Sequence, residues 1–386
     1  MFRKTRLYTP GPTPLLPDAQ FAMAAADLHH RTPEFRTLYK KVIEQLKLFI
    51  GTANDVVVLA SSGTGAMEAA VSNLTNPGDE VLVLTAGKFG ERWTSLAKAF
   101  GCNAKVLSAP YGDTFTLEQI RSQLSPNTRV VFMQATETST GTRHDVAQVE
   151  ALLKGSDALL VADAITGLGT TALDPDVTGI DVVIGGSQKA LMIPPGLAYL
   201  AVSERAWKRM ETAKQPRYYF DLQKERKSVA KGESAYTPAV ALIAAMGAAL
   251  DYLTAQGDGD LILGRKRLVE NAELSAECTR SGIKALGLEL FSSSPSAAVT
   301  AVKAPADISA TDIVKGFKAD FGGILSDGQG EMKGQLFRIA HLGLYDYLDT
   351  IAIIGALEHV LVEIGRKVEL GAGLRAAQLV YAQAGV

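Results

Sequence analysis

Only two of the 386 residues are cysteine, Cys102 and Cys278, and they lie far apart in sequence. That scarcity excludes a disulfide framework, a Cys-x-x-Cys metal site and any cluster that needs about four thiolates. Both cysteines are expected as buried free thiols in a reducing cytosol, and no metal centre is expected. A surplus of one charge is missing as well: 39 Lys and Arg stand against 41 Asp and Glu, a net charge of −2. A balance so close to zero argues against nucleic acid or an anionic membrane as the main partner. Arg3, Lys4 and Arg6 are followed by no apolar segment, so no secretory signal is read and a cytoplasmic location is expected. The most apolar stretch, 239–250, is too short to span a bilayer and predicts a buried helix. Internal repeats are absent, and so is low-complexity sequence beyond that alanine-rich helix.

Apolar material is plentiful. Hydrophobic residues make up 47% of the chain and charged ones 21%, which supplies the core of one large or two moderate domains rather than extended disorder. Residues 1–17, with Pro10, Gly11, Pro12, Pro14 and Pro17, predict an extended arm. Over 33–49 the apolar residues Phe35, Leu38, Val42, Leu46 and Phe49 recur at helical spacing. Strand signals then alternate with helical ones at 56–60, 80–84, 105–108, 129–134, 158–162, 182–184 and 198–202. Several are unbroken apolar runs, the pattern of a parallel sheet covered on both faces. This predicts a large, doubly wound, mostly parallel α/β domain over 18–256, closed by a helix from about 237 to 256. Gly257-Asp258-Gly259-Asp260 leads into a smaller C-terminal α+β domain over 257–386. It is expected to contain helix 262–281, strands near 289–291 and 298–303, helix 310–320, strand 335–340 and helix 347–364.

One lysine stands out in this frame. Gly185-Gly186-Ser187-Gln188-Lys189 follows the strand signal at 182–184, and Pro194-Pro195-Gly196 forbids a long helix after it. Lys189 is therefore held on a short, constrained connection, although composition alone would equally allow a surface loop lysine. The strand signal at 158–162 runs straight into Asp163, 26 residues before Lys189. That is about the length of a step that sets two strand ends side by side. An acid and a lysine at the carboxyl edge of a parallel sheet lie where α/β proteins bind ligands. They are also the pair that pyridoxal phosphate needs, an amine for its aldehyde and an acid against its pyridine nitrogen. Taken alone, Asp163 reads as well as a helix N-cap.

A third element is the strand signal at 55–60, the turn Ser61-Ser62-Gly63-Thr64-Gly65 and the helix that follows. A helix N-terminus behind a glycine-rich turn presents amides and the positive dipole end to an anion. The turn lacks the Gly-Lys-Ser/Thr of a nucleotide loop, and Glu68 breaks the dinucleotide glycine pattern. By itself it also fits an ordinary strand-to-helix turn.

In order along the chain stand Tyr8-Thr9-Pro10-Gly11-Pro12, the turn at 61–65, Glu137-Thr138-Ser139-Thr140-Gly141, Asp163, Gly186-Ser187-Gln188-Lys189-Ala190, Glu233-Ser234-Ala235-Tyr236-Thr237-Pro238 and Phe337-Arg338-Ile339-Ala340-His341. This set resembles the class V aminotransferases of pyridoxal 5'-phosphate fold type I, most of all the alanine/serine–glyoxylate and serine–pyruvate branch. The likeness runs from about residue 7 to 365. It implies the fold read above and an enzyme moving an amino group from alanine or serine to glyoxylate or a similar 2-oxo acid. It also implies a homodimer with active sites shared across the interface. Lys189 would carry the cofactor and shuttle a proton, and Asp163 would keep the ring nitrogen protonated. Ser62, Gly63, Thr64 and Gln188 would bind the phosphate, joined by Thr237 and Ser234 from the other subunit. Ser234 stands where many relatives have tyrosine, so Tyr236 is a candidate replacement. Phe89 would stack on the ring where relatives often carry tryptophan, and Thr138 would approach the ring's phenolic oxygen. Arg338 would grip the substrate carboxylate, with Gly11 offering its N–H to the same group. Two other readings stay open: a class V lyase or desulfurase, and a metal-free accessory subunit of a soluble hydrogenase, a name some relatives of this branch carry.

Overall fold

The structure, a computed structural model, describes residues 3–385. Met1 and Phe2 of the expected arm and Val386 of the expected C-terminal domain lie outside the described residues. After helices α1 (Pro17–Ala25) and α2 (Pro33–Ile50) comes a seven-stranded sheet. Its strands are β1 (Asp55–Leu59), β2 (Glu80–Thr85), β3 (Asn103–Ser108), β4 (Thr128–Gln134), β5 (Leu159–Asp163), β6 (Val182–Gly186) and β7 (Ala198–Val202). They are ordered β1-β7-β6-β5-β4-β2-β3. All are parallel except β7, which runs antiparallel between β1 and β6. Each matches a strand signal in the sequence.

Alternation explains the apolar runs. In β1, Val56 and Val58 enter the core on one face of the sheet, while Val57 and Leu59 enter a second core on the other. Helix α2 covers the first face with Phe35, Val42, Leu46 and Phe49. The second face is covered by α3 (Gly63–Leu74), which contributes Ala66, Met67, Ala70 and Leu74, and by α4 (Lys88–Ala99), which contributes Trp93 and Ala97. With both faces dry, the strands have no use for polar residues in alternate positions.

Helix α5 (Val240–Gln256) packs into the first core, and a third core lies among α6 (Leu261–Ala285), α7 (Ala310–Phe321) and α8 (Tyr347–Glu363) and a three-stranded antiparallel sheet. The sheet comprises β8 (Val299–Lys303), β9 (Ser326–Asp327) and β10 (Leu336–Ala340). Ile283, Val302, Phe317, Phe337 and Ile353 meet there, joined by Tyr8 from the N-terminal segment. That segment is pinned rather than loose. Arg6–Leu7 pairs in parallel with Gly323–Ile324, and the Ala340 N–H donates to the Tyr8 carbonyl at 3.0 Å.

Three expectations need correction. The segment 289–291 forms no strand, only an isolated bridge from Leu290 to Val302. The helix expected from 237 starts at Val240, because Pro238 holds the residue before it in extended backbone. Helix α6 is longer than expected, beginning where the Asp260 carboxylate accepts from the Ile262 N–H at 2.8 Å. A further helix, α9 (Ala372–Ala384), was not anticipated. Its start is held by buried Glu358, which accepts from the N–H groups of Gly371, Gly373 and Leu374. Among the described residues no single helix is long and apolar enough to cross a membrane.

Candidate active site

Strands β5 and β6 run parallel, with Asp163 opposite Ile184, so their carboxyl ends open at one edge of the sheet. Asp163 is the last residue of β5, and Lys189 follows the end of β6 by three residues. Between them lies a cavity of about 310 Å³, within the usual size for a small-molecule site. Gly11, Ser62, Gly63, Thr64, Phe89, Thr138, Asp163, Gln188 and Lys189 all line it. Segments up to 178 residues apart in sequence thus converge on one hollow.

Lys189 is 8% exposed, and its ammonium donates to the Pro10 carbonyl. Burial pulls its pKa down to about 8, against the opposing attraction of Asp163. An amine of that pKa is present in its neutral, nucleophilic form far more than an ordinary lysine. The N-terminal segment passes so close that a Cβ at Gly11 would overlap the Lys189 side chain, and Gly11 has φ +135°. Only glycine suits that approach.

Asp163 is buried, and burial pushes its pKa up to about 6, partly opposed by the Ile165 N–H that it accepts at 3.0 Å. It remains mostly ionised at neutral pH. Its other oxygen accepts from Gln134 Nε2 at 2.7 Å, while Gln134 Oε1 accepts from Trp93 Nε1 at 2.7 Å. Because an indole N–H can only donate, it dictates which end of the Gln134 amide faces Asp163. The relay presents Asp163 with a donor, which favours its charged form.

At the other end of the cavity, α3 begins at Gly63 with no acidic residue in its first turn, and the Ser62 side chain makes no capping bond to its own helix. A Cβ on Gly63 would meet the tip of the Ile165 side chain, which packs closely against the turn. Phe89 is placed by α4, whose entry is held by Glu137. That buried carboxylate accepts from the N–H groups of Gly90 at 2.9 Å and Phe89 at 3.2 Å. Burial raises the Glu137 pKa, while Ser139 and these amides oppose the rise. Thr138 Oγ1 shares a hydrogen bond with Thr166 Oγ1 at 2.7 Å.

Arg338, on β10, is 4% exposed. Its Nη1 donates to the Thr138 carbonyl at 3.1 Å and its Nη2 to the Asp327 carbonyl at 2.7 Å, while Nε has no partner. Burial lowers its pKa to about 10. Two backbone carbonyls thus satisfy part of the guanidinium, and three N–H groups are left over. Among the described residues neither Lys189, Arg338 nor Arg92 takes part in a salt bridge.

Ser234 and Thr237 are not brought to this cavity. They line a separate small hollow with Tyr39 and Glu225. The Tyr236 hydroxyl is occupied, donating to the Tyr218 carbonyl at 2.6 Å and accepting from Lys224 at 3.0 Å. His341 is fully buried against Thr300, and burial drives its pKa down, so it stays neutral. The sequence reading missed Arg92, Trp93, Gln134, Glu137 and Thr166 as neighbours of the site. For Arg92 and Trp93 a signal existed, since they follow Phe89 by three and four residues and share its helix face.

The donor set suits pyridoxal phosphate. A buried lysine amine lies near a buried acid, and the uncapped start of α3 lines the same cavity. Among the described residues no three His, Cys, Asp or Glu side chains are grouped to hold a metal ion.

Comparison with known proteins identifies the family. Residues 19–275 match the family model described as aminotransferase class-V. The "Soluble hydrogenase 42 kDa subunit" of Anabaena cylindrica is 38% identical, over 98% of this chain and 99% of that protein. A serine–glyoxylate aminotransferase of Methylorubrum extorquens is 30% identical, over 97% and 95%. Among solved structures, an aspartate aminotransferase of subgroup IV from Thermus thermophilus superposes with a TM-score of 0.86 at 34% identity, covering 93% of this chain and 99% of that one. Similarity on this scale, end to end in sequence and fold, leaves one conclusion: the chain belongs to the class V aminotransferases and is a pyridoxal-phosphate-dependent aminotransferase.

Proposed function

We propose that the enzyme moves an amino group from a small neutral α-amino acid, alanine or serine, to glyoxylate or a similar 2-oxo acid. The observation that carries this reading is the cavity's supply of cations. Among the described residues the only cations in its lining are Lys189 and Arg92, with Arg338 just behind Thr138. Lys189 is committed to the cofactor and Arg92 to Thr64, which leaves one arginine for one carboxylate. A dicarboxylate donor such as aspartate would want a second, which the second copy of the chain would have to supply. The serine–glyoxylate name of the Methylorubrum relative points the same way, while the aspartate aminotransferase name of the Thermus neighbour points to a dicarboxylate donor.

When bound, pyridoxal phosphate supplies an aldehyde carbon for the amino group and a ring that takes up the electrons freed as Cα loses its proton. In this reading Lys189 Nζ carries the cofactor at rest, then accepts the Cα proton and returns it, a task suited to its lowered pKa. Asp163 holds a proton on the ring nitrogen, kept anionic by the donor end of Gln134. Phe89 would cover the ring face, and Thr138 would lie beside the ring's oxygen. Ser62, Gly63, Thr64 and Gln188 bind the phosphate. Arg338 takes the substrate carboxylate through Nε and a spare Nη hydrogen, a planar two-point hold that sets Cα–H toward Lys189; Gly11 adds its N–H. Ser234 and Thr237 act in a second copy of the chain, which makes the working unit a homodimer.

A desulfurase role would need a reactive thiol. Cys278 is fully buried in α6, where burial raises its pKa to about 11, the reverse of an activated cysteine. The test is a screen of alanine, serine and aspartate against glyoxylate and pyruvate with holoenzyme. Alanine or serine with glyoxylate is expected to give the highest kcat/KM. Aspartate as the best donor would refute the substrate assignment, and no turnover with any pair would favour the accessory-subunit reading.

A further inference from the structure

One cation reaches the cradle at the start of α3, and it comes from another helix. Arg92 lies on α4 one turn beyond Phe89, its guanidinium 5.1 Å from the centre of the Phe89 ring. Its Nη1 donates to Thr64 Oγ1 at 2.9 Å. Arg92, Phe89 and Thr64 all line the Lys189 cavity. The approach is fixed from behind, because Glu137 holds the amides at the start of α4.

A hydroxyl can both accept and donate, and its direction is set by its partner. A guanidinium has only donors. The Thr64 oxygen therefore accepts from Arg92, and the Thr64 hydrogen is free to point elsewhere. A hydroxyl that accepts from a cation is also polarised into a better donor. The cradle's own residues, Ser62, Gly63 and Thr64, carry no charge, although a phosphate group brings close to two negative charges.

We propose that Arg92 is a positioning residue for the cofactor's phosphate, locking the Thr64 hydroxyl as a donor into the cradle and lending it positive charge. This rests on the pyridoxal phosphate reading of the cavity and extends it to a residue with no role in the preceding scheme.

The test compares two probes that differ only in the phosphate. Apoenzyme of the parent, Arg92→Met, Thr64→Val and the double variant is titrated with pyridoxal phosphate and separately with pyridoxal, following the visible absorbance of the bound form. Arg92→Met should weaken pyridoxal phosphate by roughly 10- to 100-fold, as expected for losing a hydrogen bond to a charged group. Pyridoxal should change by less than about threefold, within the spread of surface substitutions. Thr64→Val should behave alike. The double variant should be no more than about threefold weaker than the worse single one, since both act through one hydroxyl. Equal losses for both probes would mean a merely structural role and overturn the proposal. So would multiplicative losses in the double variant, or unchanged affinity in Arg92→Met. If Arg92→Met fails to fold, Arg92→Leu carries the same titrations, with the same outcomes. A parent that binds neither probe would instead refute the cofactor reading itself.

Discussion

Replacing Arg338 with alanine separates the substrate recognition proposed for it from cofactor chemistry. The guanidinium has five N–H donors, of which two are spent on the Thr138 and Asp327 carbonyls. Of the remaining three, Nε is buried without a partner, so a carboxylate taking Nε and one Nη hydrogen meets donors already stripped of water. Losing that hold should cost about 2–4 kcal/mol in the transition state, or roughly 30- to 1000-fold in kcat/KM. The fold loses as well, because two backbone carbonyls are orphaned at about 1–3 kcal/mol each, partly offset by removing a buried cation. Arg338→Lys, which keeps the charge but not the fork, should fall between parent and alanine. The assay is the single-turnover rate with alanine or serine, with cofactor affinity and absorbance as controls expected to stay near the parent's. An Arg338→Ala efficiency within about threefold of the parent, under 1 kcal/mol, would refute the role. So would an equal loss with an amine that has no carboxylate.

Other consequences can be measured independently. The folded-state pKa of Lys189, about 8, lies below its ordinary 10.5, so this group stabilises the apoenzyme fully above about pH 10.5 and loses that contribution as pH falls through 8. Relative to Lys189→Met, the parent should therefore gain on the order of 2–3 kcal/mol between pH 8 and 10.5; denaturant titrations showing parallel curves would contradict the burial argument. Trp93→Phe frees the Gln134 amide to turn its oxygen toward Asp163, which raises the Asp163 pKa. The acidic limb of the kcat/KM profile should move up by about one pH unit, and a limb that stays in place would remove Gln134 from the scheme. Mixing inactive Lys189→Ala subunits with inactive Thr237→Val subunits should restore part of the activity if sites are shared between copies. A fully active monomer in sedimentation would exclude such sharing.

Burial patterns were legible in the sequence. The seven strands of the large sheet announce themselves because both of its faces are dry, which makes each strand a short apolar run bounded by turn residues. Asp163 and Lys189 are legible because each ends such a run, and two adjacent parallel strands bring those ends to one edge. Apolar periodicity reports that a face is buried, not what it is buried against, and there the sequence falls silent. The antiparallel direction of β7, the missing strand at 289–291 and helix α9, held by Glu358, all depend on neighbours distant in the chain. Polar networks are still less local. Arg92 meets Thr64 across 28 residues, Trp93 reaches Gln134 across 41, and Arg338 finds the Thr138 carbonyl 200 residues away. A hydrogen bond needs its partner within about 3 Å and in line, a condition that packing alone imposes. Residue types along the chain therefore determined the fold family and singled out Asp163 and Lys189, and tertiary structure decided which donors and charges surround them.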